Sequence, residues 1–365
     1  MDARELIEVD PAHDVRWDAF VGSRRDGSIF HHSAWLRALE AEYSGRVVGL
    51  ACTGSHGELL GVLPLLSTRG LPFRRKSGLS GPRLSSLPRT PTAGPLAVDQ
   101  AAMEALVRGA VDRVRARPDW HLQLKLEGPH LDGLVEEVRG ERWRHTFVLE
   151  LPSAPEELRF GNARNNARIR WAVTKAERLQ VRVRAAREEA ELRAWYRLYL
   201  ETMRRHAVPP RPFRFFSALW TTLRPHRLME LLLAEHQSDT GTHLLAGSIF
   251  LKFGQTVFYG FNGSHQNALS LRPNDIIMWN AIYDACAAGY RRFDLGEVDA
   301  GSRSLADFKR KWGSEPSWLY RYYYPARPTE QSYSESTAVR AARAVWRYFP
   351  LRGTAVLGDR IYSFM

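Results

Sequence analysis

The sequence predicts an α/β protein made of two tandem, similar domains, each built on a mixed sheet. Both halves of the 365-residue chain show the same order of patterns: a helix, a meander of two or three strands, a helix, and a strand ending in glycine. The length also suits two domains better than one. A meander followed by a helix and a parallel neighbouring strand gives a sheet with antiparallel and parallel pairs. We therefore expect one domain over residues 1–150, a second over 151–328, and a C-terminal helix with a basic tail over 329–365.

The composition is that of a globular protein with an excess of positive charge. Apolar residues make up 44% of the chain and charged residues 25%, and the formal net charge is +12. Such a charge favours an anionic partner, namely nucleic acid, a nucleotide-linked substrate or a membrane surface. An arginine-rich composition without any partner explains it equally well.

Cysteine usage and the N-terminus bear on the compartment. Only Cys52 and Cys286 are present, and they form no metal-binding spacing. We therefore expect no metal site and no disulfide framework, as in a reducing compartment. The N-terminal residues lack the apolar core of a signal peptide, and no run reaches the ~18 apolar residues of a membrane span. These features together predict a cytoplasmic protein.

The elements of the first half follow from periodicity and capping. Ser33 is placed to cap a helix that runs to Glu40. Apolar residues recur at helical spacing from Met103 to Val114. Strict alternation predicts a strand over His121–Gly128, after which we expect a further helix. The remaining strands predicted in this half are Arg46–Cys52 and Leu59–Leu66, joined as a hairpin through Gly54–Gly57, and Thr146–Glu150.

Two basic segments could contact phosphate. Arg69–Pro95 is rich in glycine, proline and arginine, which predicts either a solvated loop or one whose backbone approaches an anion. Arg159–Arg187 holds nine arginine and lysine residues, and we expect an amphipathic basic helix there. Its apolar face would be Ile169, Ala172, Val173 and Ala176. A solvated helix face and a phosphate-binding face both fit this pattern.

The second half centres on the stretch from Gly289 to Gly313. A strand, Arg292–Leu295, breaks at Gly296 and leads through a polar loop to Phe308–Gly313. The other helices predicted here are Trp195–His206, Arg211–Leu223, Asp275–Ala288 and Thr337–Tyr348. The other strands predicted are Leu228–Glu235, Leu244–Phe253, Thr256–Phe261 and Trp318–Tyr324.

Several short motifs, in order along nearly the whole chain, resemble those of one group of enzymes. The most specific is Phe308-Lys309-Arg310-Lys311-Trp312-Gly313. The others are Ser33-Ala34-Trp35, Ser86-Leu87-Pro88, Gly94-Pro95-Leu96, Asn165–Arg170 with Lys175-Ala176, Tyr259-Gly260, Asn274-Asp275 and Phe293–Gly296. In these motifs the chain resembles the Fem family of aminoacyl transferases and the related BioF2-like acyltransferases of the GNAT superfamily.

The resemblance implies tandem GNAT domains that transfer an acyl group to an amine. Members of the Fem group take an amino acid from aminoacyl-tRNA and add it to a peptidoglycan precursor. The lysine of their Phe-Lys pair lies at the transfer centre, which here is Lys309. Arg37 is the nearest match to a basic residue that helps to hold precursor phosphates. The matching motifs also place Phe308, Arg168, Tyr259 and Trp35 among the substrate-binding residues.

Acyl transfer to an amine needs a base for the amine, a stabilised oxyanion and a protonated leaving group. Lys309 and Lys311 could place a cation near the oxyanion, and Asp275 or Glu297 could accept the amine proton. Each has a simpler explanation. Lys309 could be a surface lysine, Asp275 a carboxylate that favours the first turn of a helix, and Glu297 a loop cap.

Three functions remain open from the sequence. The first is aminoacyl transfer from tRNA to an amine of a cell-wall precursor or small metabolite, and the second is N-acyl transfer from acyl-CoA or a carrier protein. The third is a non-catalytic binder of an anionic polymer or membrane surface. The chain lacks the helical hairpin that some Fem members insert for tRNA contact. It also lacks glycine over residues 265–274, where CoA-using domains bind pyrophosphate, although Arg272 and the helix start at Asp275 remain for a phosphate. We expect no bound cofactor, and peripheral membrane contact is open to the basic tail.

Overall fold

The computed structural model describes residues 4–43, 45–69, 81–239, 241–299, 301–326, 346 and 350–362. The chain divides into two compact units. Unit 1 contains Met1–Arg144, Ser317–Ser332 and Arg360–Met365, and unit 2 contains His145–Pro316 and Tyr333–Asp359. No helix within the described ranges is long and apolar enough to cross a membrane.

Unit 1 is a mixed sheet with three helices. Its strands are β1 (Glu5–Val9), β2 (Val47–Thr53), β3 (Leu59–Thr68), β4 (Arg83–Ser85), β5 (Leu96–Ala97), β6 (His121–Glu127), the start of β7 (Arg139–Glu150) and most of β13 (Glu315–Tyr324). The helices are α1 (Val15–Ser23), α2 (Ser33–Tyr43) and α3 (Gln100–Arg115). The strand order is β1-β2-β3-β4-β6-β13, with β5 beside β3. The pair β4–β6 is parallel, and the other pairs with an assigned register are antiparallel.

Unit 2 repeats this plan. Its strands are the end of β7, β8 (Val181–Ala185), β9 (Met229–Ser238), β10 (Gly241–Phe253), β11 (Thr256–Ser264) and β12 (Arg292–Val298). Its helices are α4 (Ala163–Arg178), α5 (Glu189–Arg205), α6 (Phe213–Thr222), α7 (Pro273–Ala287), α8 (Arg303–Lys311) and most of α9 (Leu351–Tyr362). The strand order is β7-β12-β11-β10-β9-β8, and β11–β12 is the parallel pair. The core packs Phe147, Ile169, Phe250, Ile277, Phe293 and Trp312 together.

Each half of the sequence gives its closing strand to the other unit. β7 ends the first half, yet its residues from His145 to Glu150 pair with β12 in unit 2. β13 ends the second half, yet its residues from Leu319 to Tyr324 pair with β6 in unit 1. The predicted fold class, two similar α/β halves with mixed sheets, is confirmed. The observed division at 144/145 lies six residues before the predicted one, and β13 falls in the unit opposite to the one expected.

Two predictions in the first half are wrong in detail. The further helix expected after Gly128 is a series of turns, and β7 begins at Arg139. Pro129 and Gly133 lie within these turns and favour them over a helix. The expected Gly/Pro loop contains a short strand, β4, whose Leu84 is buried; residues 70–80 lie outside the described ranges.

The basic block and the tail also differ from expectation. The helix in the basic block ends at Arg178, because the chain turns at Gln180 with a φ of 57° and continues as β8. The predicted helix Thr337–Tyr348 lies outside the described residues apart from Trp346. In the tail, α9 packs against unit 2, where Asp359 forms an ion pair with Arg214. Membrane contact through the tail stays a prediction.

Candidate active site

The parallel strands of unit 2 separate after three residue pairs. Thr256–Phe258 pair with Arg292–Asp294, and beyond this point the two strands have no common register. Each strand has a bulge there: Gly260 has no register partner on β10, and Leu295–Gly296 interrupt the pairing of β12 with β7. Because bulges bend strands and change their twist, they separate β11 from β12 and open a wedge between their ends.

Asp294 fixes the bulge in β12. Its Oδ1 accepts a hydrogen bond of 2.7 Å from the Gly296 backbone N–H and one of 2.6 Å from the Thr146 hydroxyl. Gly296 has a φ of +84°, a conformation that glycine adopts without the steric cost of a side chain. The sequence Asp-x-Gly within a strand therefore sets the path of the backbone at the wedge. Asp294 lies in the Phe293–Gly296 motif, but the sequence does not indicate its role in the bulge.

Lys309 reaches this bulge from α8. Its side chain is buried, with 4% of the residue exposed. Nζ donates hydrogen bonds of 2.7 Å to the carbonyl of Gly296 and 3.2 Å to the carbonyl of Glu297. A Cβ placed on Gly296 would lie 3.6 Å from this Nζ and 3.6 Å from the Tyr259 carbonyl. The ammonium group therefore sits where β11 and β12 separate, and the interpretation of Lys309 as a surface lysine is wrong.

Burial dominates the electrostatics of Lys309. It lowers the pKa of the ammonium group from 10.5 to about 8, although the carboxylates of Asp294 and Glu297 act in the opposite direction. A lysine with a pKa of about 8 is mostly protonated at pH 7 and loses its proton as the pH rises through about 8. The two backbone carbonyls use two of its three N–H donors. One donor therefore remains for a substrate oxygen.

Tyr259 adds a neutral hydroxyl on β11. Burial raises the pKa of its phenol to about 12, so the group keeps its proton at neutral pH. The same hydroxyl hydrogen-bonds the Ser248 side chain. Asn262 Nδ2 donates 3.1 Å bonds to both Ser248 Oγ and Asn274 Oδ1, so a polar chain runs from β11 to the start of α7.

Asp275 belongs to a different cluster from Lys309. Its Oδ1 accepts a 2.5 Å bond from Lys311 Nζ, and this ammonium also lies 5.0 Å from the Phe308 ring centre. Residues two apart on a helix project about 200° apart, so Lys309 and Lys311 leave α8 in different directions. Of the predicted catalytic residues, the structure brings Lys309 and Glu297 together and pairs Asp275 with Lys311 instead.

The remaining predicted substrate-binding residues lie on α4 of unit 2 and on α2 of unit 1. Arg168 is on the exposed face of α4 in unit 2. Trp35 is buried in unit 1, where its ring packs edge-on against Phe30 with centres 5.1 Å apart. Arg37 is exposed on α2 of unit 1. Their substrate-binding roles stay predictions.

In unit 1 the parallel strands β4 and β6 also separate, but a loop of the same unit occupies the space between them. Arg83–Ser85 pair with His121–Gln123, and the strands then separate. Lys125 lies just beyond this point and donates hydrogen bonds to the carbonyls of Leu87 (2.5 Å) and Thr90 (3.4 Å). Both of these loop residues are buried. The buried lysine of unit 1 thus anchors a loop, which leaves unit 2 as the candidate for chemistry.

The part of the chain that the structure describes contains no group of three His, Cys, Asp or Glu residues placed to hold a metal ion.

Comparisons with known proteins agree with this architecture. Residues 162–310 match the family model described as an acetyltransferase (GNAT) domain. The solved structure of FemX is similar, with a TM-score of 0.65 and 16% identity over 87% of this chain and 96% of that one. L-PGS from Bacillus licheniformis has a TM-score of 0.56 and 11% identity over 87% and 94% of the two chains.

A third similar structure is described as the C-terminal domain of a lysylphosphatidylglycerol synthetase from Agrobacterium fabrum. Its TM-score is 0.53, with 12% identity over 93% of this chain and 96% of that one. No curated protein sequence matches the chain. The structural likenesses show the fold, and the family model matches the part of unit 2 that carries Lys309. Residues 162–310 are thus similar to an acetyltransferase (GNAT) domain.

Proposed function

We propose that unit 2 forms an amide by transferring an acyl or aminoacyl group from an activated donor to an amine acceptor. The observation that carries this proposal is the buried Lys309 ammonium, held by two backbone carbonyls where β11 and β12 separate. A cation fixed in advance in a low-dielectric site stabilises an oxyanion more than a solvated lysine does.

The proposed reaction begins when the neutral amine attacks the carbonyl carbon of the donor ester. The new C–N bond forms while the carbonyl electrons move to oxygen, and the remaining Lys309 N–H donates to this oxyanion. Collapse of the intermediate breaks the C–O bond to the leaving group. The proton lost by the amine passes to a base, for which Glu297 is the candidate beside Lys309, and the leaving oxygen takes up a proton.

The donor we favour is aminoacyl-tRNA, with acyl-CoA as the second candidate. GNAT domains in general use acyl-CoA, whose pyrophosphate needs backbone N–H groups at a helix start. Here the turn before α7 lacks glycine, Pro273 has no N–H to offer, and Asp275 places a carboxylate in the first turn. These residues fit a pyrophosphate poorly.

The acceptor we favour is an amine of a cell-wall precursor or small metabolite, as the resemblance to the Fem group implies. The name lysylphosphatidylglycerol synthetase, carried by one structural neighbour, makes a phospholipid hydroxyl the alternative acceptor, on which transfer would form an ester instead of an amide. A non-catalytic binder of an anionic polymer or membrane surface is the third candidate, and it would show no transfer in the assay that follows.

A donor assay tests the proposal. The protein is incubated with labelled aminoacyl-tRNA or labelled acyl-CoA and a mixed pool of amines, and amide products are identified by mass spectrometry. We expect products from aminoacyl-tRNA, and a Lys309→Ala variant should lose about 100-fold or more in kcat, as for a lost oxyanion donor. Lys252→Ala is the control, because Lys252 pairs with Glu230 on β9. Products from acyl-CoA alone would refute the tRNA donor, and unchanged kcat in Lys309→Ala would refute the site.

A further inference from the structure

The outward face of α4 carries a narrow row of cations with one aromatic residue at its centre. Arg164, Arg168, Trp171, Lys175 and Arg178 follow one another at steps of three or four residues. At 100° per residue they fall within about 80° of arc, and at 1.5 Å per residue the row is about 21 Å long. We call these five residues the α4 stripe.

The four cations of the stripe lack acidic partners. In the described ranges, none of them forms an ion pair or hydrogen bond with an aspartate or glutamate. Arg184, just beyond α4, shows the contrast, since it pairs with both Glu191 and Glu235. Like charges at i and i+4 destabilise a helix by a few tenths of a kcal/mol per pair. The row therefore has a charge excess that fold stability does not require.

Trp171 is exposed although it is the largest apolar side chain on this helix. About half of it, 51%, is accessible to solvent. Lys175 Nζ and the Arg272 guanidinium each lie 5.3 Å from its ring centre. An exposed aromatic ring set among cations offers a stacking surface for a base together with charges for its phosphates.

The stripe also leads toward the candidate active site. Arg272 directly precedes α7, whose Asp275 pairs with Lys311 of α8. At the N-terminal end of α4, the chain entering the helix lies against the end of α8. A Cβ added to Gly313 would come within 2.6 Å of the Gly161 nitrogen. A strand bound along the stripe thus runs toward the helix that carries Lys309.

We propose that the α4 stripe binds single-stranded nucleic acid, with a base stacked on Trp171 and phosphates on the flanking cations. This rests on the proposed aminoacyl-tRNA donor and identifies where its unpaired end would be held. Bases in a duplex are stacked on each other and cannot cover an exposed ring. A membrane-surface helix buries an apolar face in lipid, whereas the apolar face of α4 is already buried in the core of unit 2.

Binding of a labelled short single-stranded RNA, followed by fluorescence anisotropy, tests the stripe directly. We expect Trp171→Ala to weaken binding about 5- to 150-fold, the range for loss of one stacked base, and Trp171→Phe to restore most of it. Arg168→Gln should lower the slope of log affinity against log salt by about 0.7. Arg227→Gln is the matched control, because Arg227 is an exposed arginine of the same unit that lies outside α4, directly after the turn at Arg224–His226.

The comparison arms use blunt duplex RNA and vesicles of phosphatidylcholine with phosphatidylglycerol. Weaker binding to the duplex, with no effect of Trp171→Ala there, supports the proposal. Equal RNA binding by wild type and Trp171→Ala would overturn it, as would Trp171-dependent binding to vesicles and none to RNA. Transfer assays separate the two proposals. If the wild type transfers from aminoacyl-tRNA while Trp171→Ala binds RNA normally, only the stripe is wrong. If RNA binding depends on Trp171 but no aminoacyl transfer occurs, only the donor assignment is wrong.

Discussion

Replacing Lys309 by methionine should change how stability depends on pH. Methionine keeps an unbranched side chain of similar length but removes the ammonium group. In the folded protein, burial lowers the pKa of Lys309 from 10.5 to about 8. A shift of this size corresponds to about 3 kcal/mol, because each pKa unit is worth about 1.4 kcal/mol.

The sign follows from proton binding. Below pH 8 the folded and unfolded states both hold the proton, and burial of the charge lowers stability. Between about pH 8 and 10.5 the folded protein loses this proton while the unfolded chain keeps it, so stability rises with pH in that window. Relative to Lys309→Met, the wild type should therefore gain about 2–3 kcal/mol of unfolding free energy from pH 7 to pH 10.

At neutral pH the unfolding free energies of the wild type and Lys309→Met should differ by less than the cost of the buried charge alone. Methionine removes the cost of a buried charge, but it leaves the carbonyls of Gly296 and Glu297 without their donor. A buried carbonyl that loses its partner costs about 1–3 kcal/mol. The two effects oppose each other, which makes the pH dependence the informative quantity.

Urea denaturation followed by circular dichroism at several pH values measures this difference. Because the chain has two units, coincident transitions from a second probe are needed before free energies are compared. Lys252→Met is the control and should show no such rise, since Lys252 is partly exposed and paired with Glu230. A wild type minus Lys309→Met difference that stays flat from pH 7 to pH 10 would refute the burial argument for Lys309.

Three further predictions concern residues of β12, α7 and α8. Asp294→Asn keeps an oxygen for the bulge but removes the carboxylate that most opposes the effect of burial on the pKa of Lys309. This pKa should therefore fall further, and the alkaline limb of the kcat–pH profile should move to lower pH. An alkaline limb at the wild-type pH would contradict this prediction. Asp275→Asn and Lys311→Met should each lower the unfolding free energy by about 3–5 kcal/mol, because each leaves the other charge of the pair without its partner, and the double variant should recover stability. A large loss of kcat in Asp275→Asn at wild-type stability would instead make Asp275 a participant in the chemistry. At Gly296 there is room for the methyl group of alanine, but the φ of +84° is unfavourable for any residue with a side chain. Gly296→Ala should therefore lower the unfolding free energy by about 1–2 kcal/mol and also lower kcat. Wild-type values of both quantities would exclude a role for the bulge.

Local sequence patterns were enough to predict most elements and the resemblance to GNAT transferases. The hairpin at Gly54–Gly57 and the helix now seen at Gln100–Arg115 depend on turn residues and on spacings of two or three to four residues. Such signals lie within a few positions of each other, so the sequence displays them directly. The Phe-Lys motif likewise pointed to Lys309 without any knowledge of what surrounds it.

Tertiary structure decided which of the candidate groups act together. The sequence offered two carboxylates and two lysines as candidates. Only the packing of α8 on α7 and β12 sends Lys311 to Asp275 and Lys309 to the carbonyls of Gly296 and Glu297. The burial that lowers the pKa of Lys309 comes from residues distant in sequence.

The exchange of closing strands was likewise invisible in the sequence. The sequence patterns of β7 and β13 predict strands, but they do not indicate which sheet each strand joins. By itself the sequence determined the kinds of element, their duplicated order and the resemblance to GNAT transferases. Strand partners, the wedge between β11 and β12 and the burial of one lysine were set by contacts between residues far apart along the chain, because pairing and desolvation depend on what folds against a segment rather than on the segment alone.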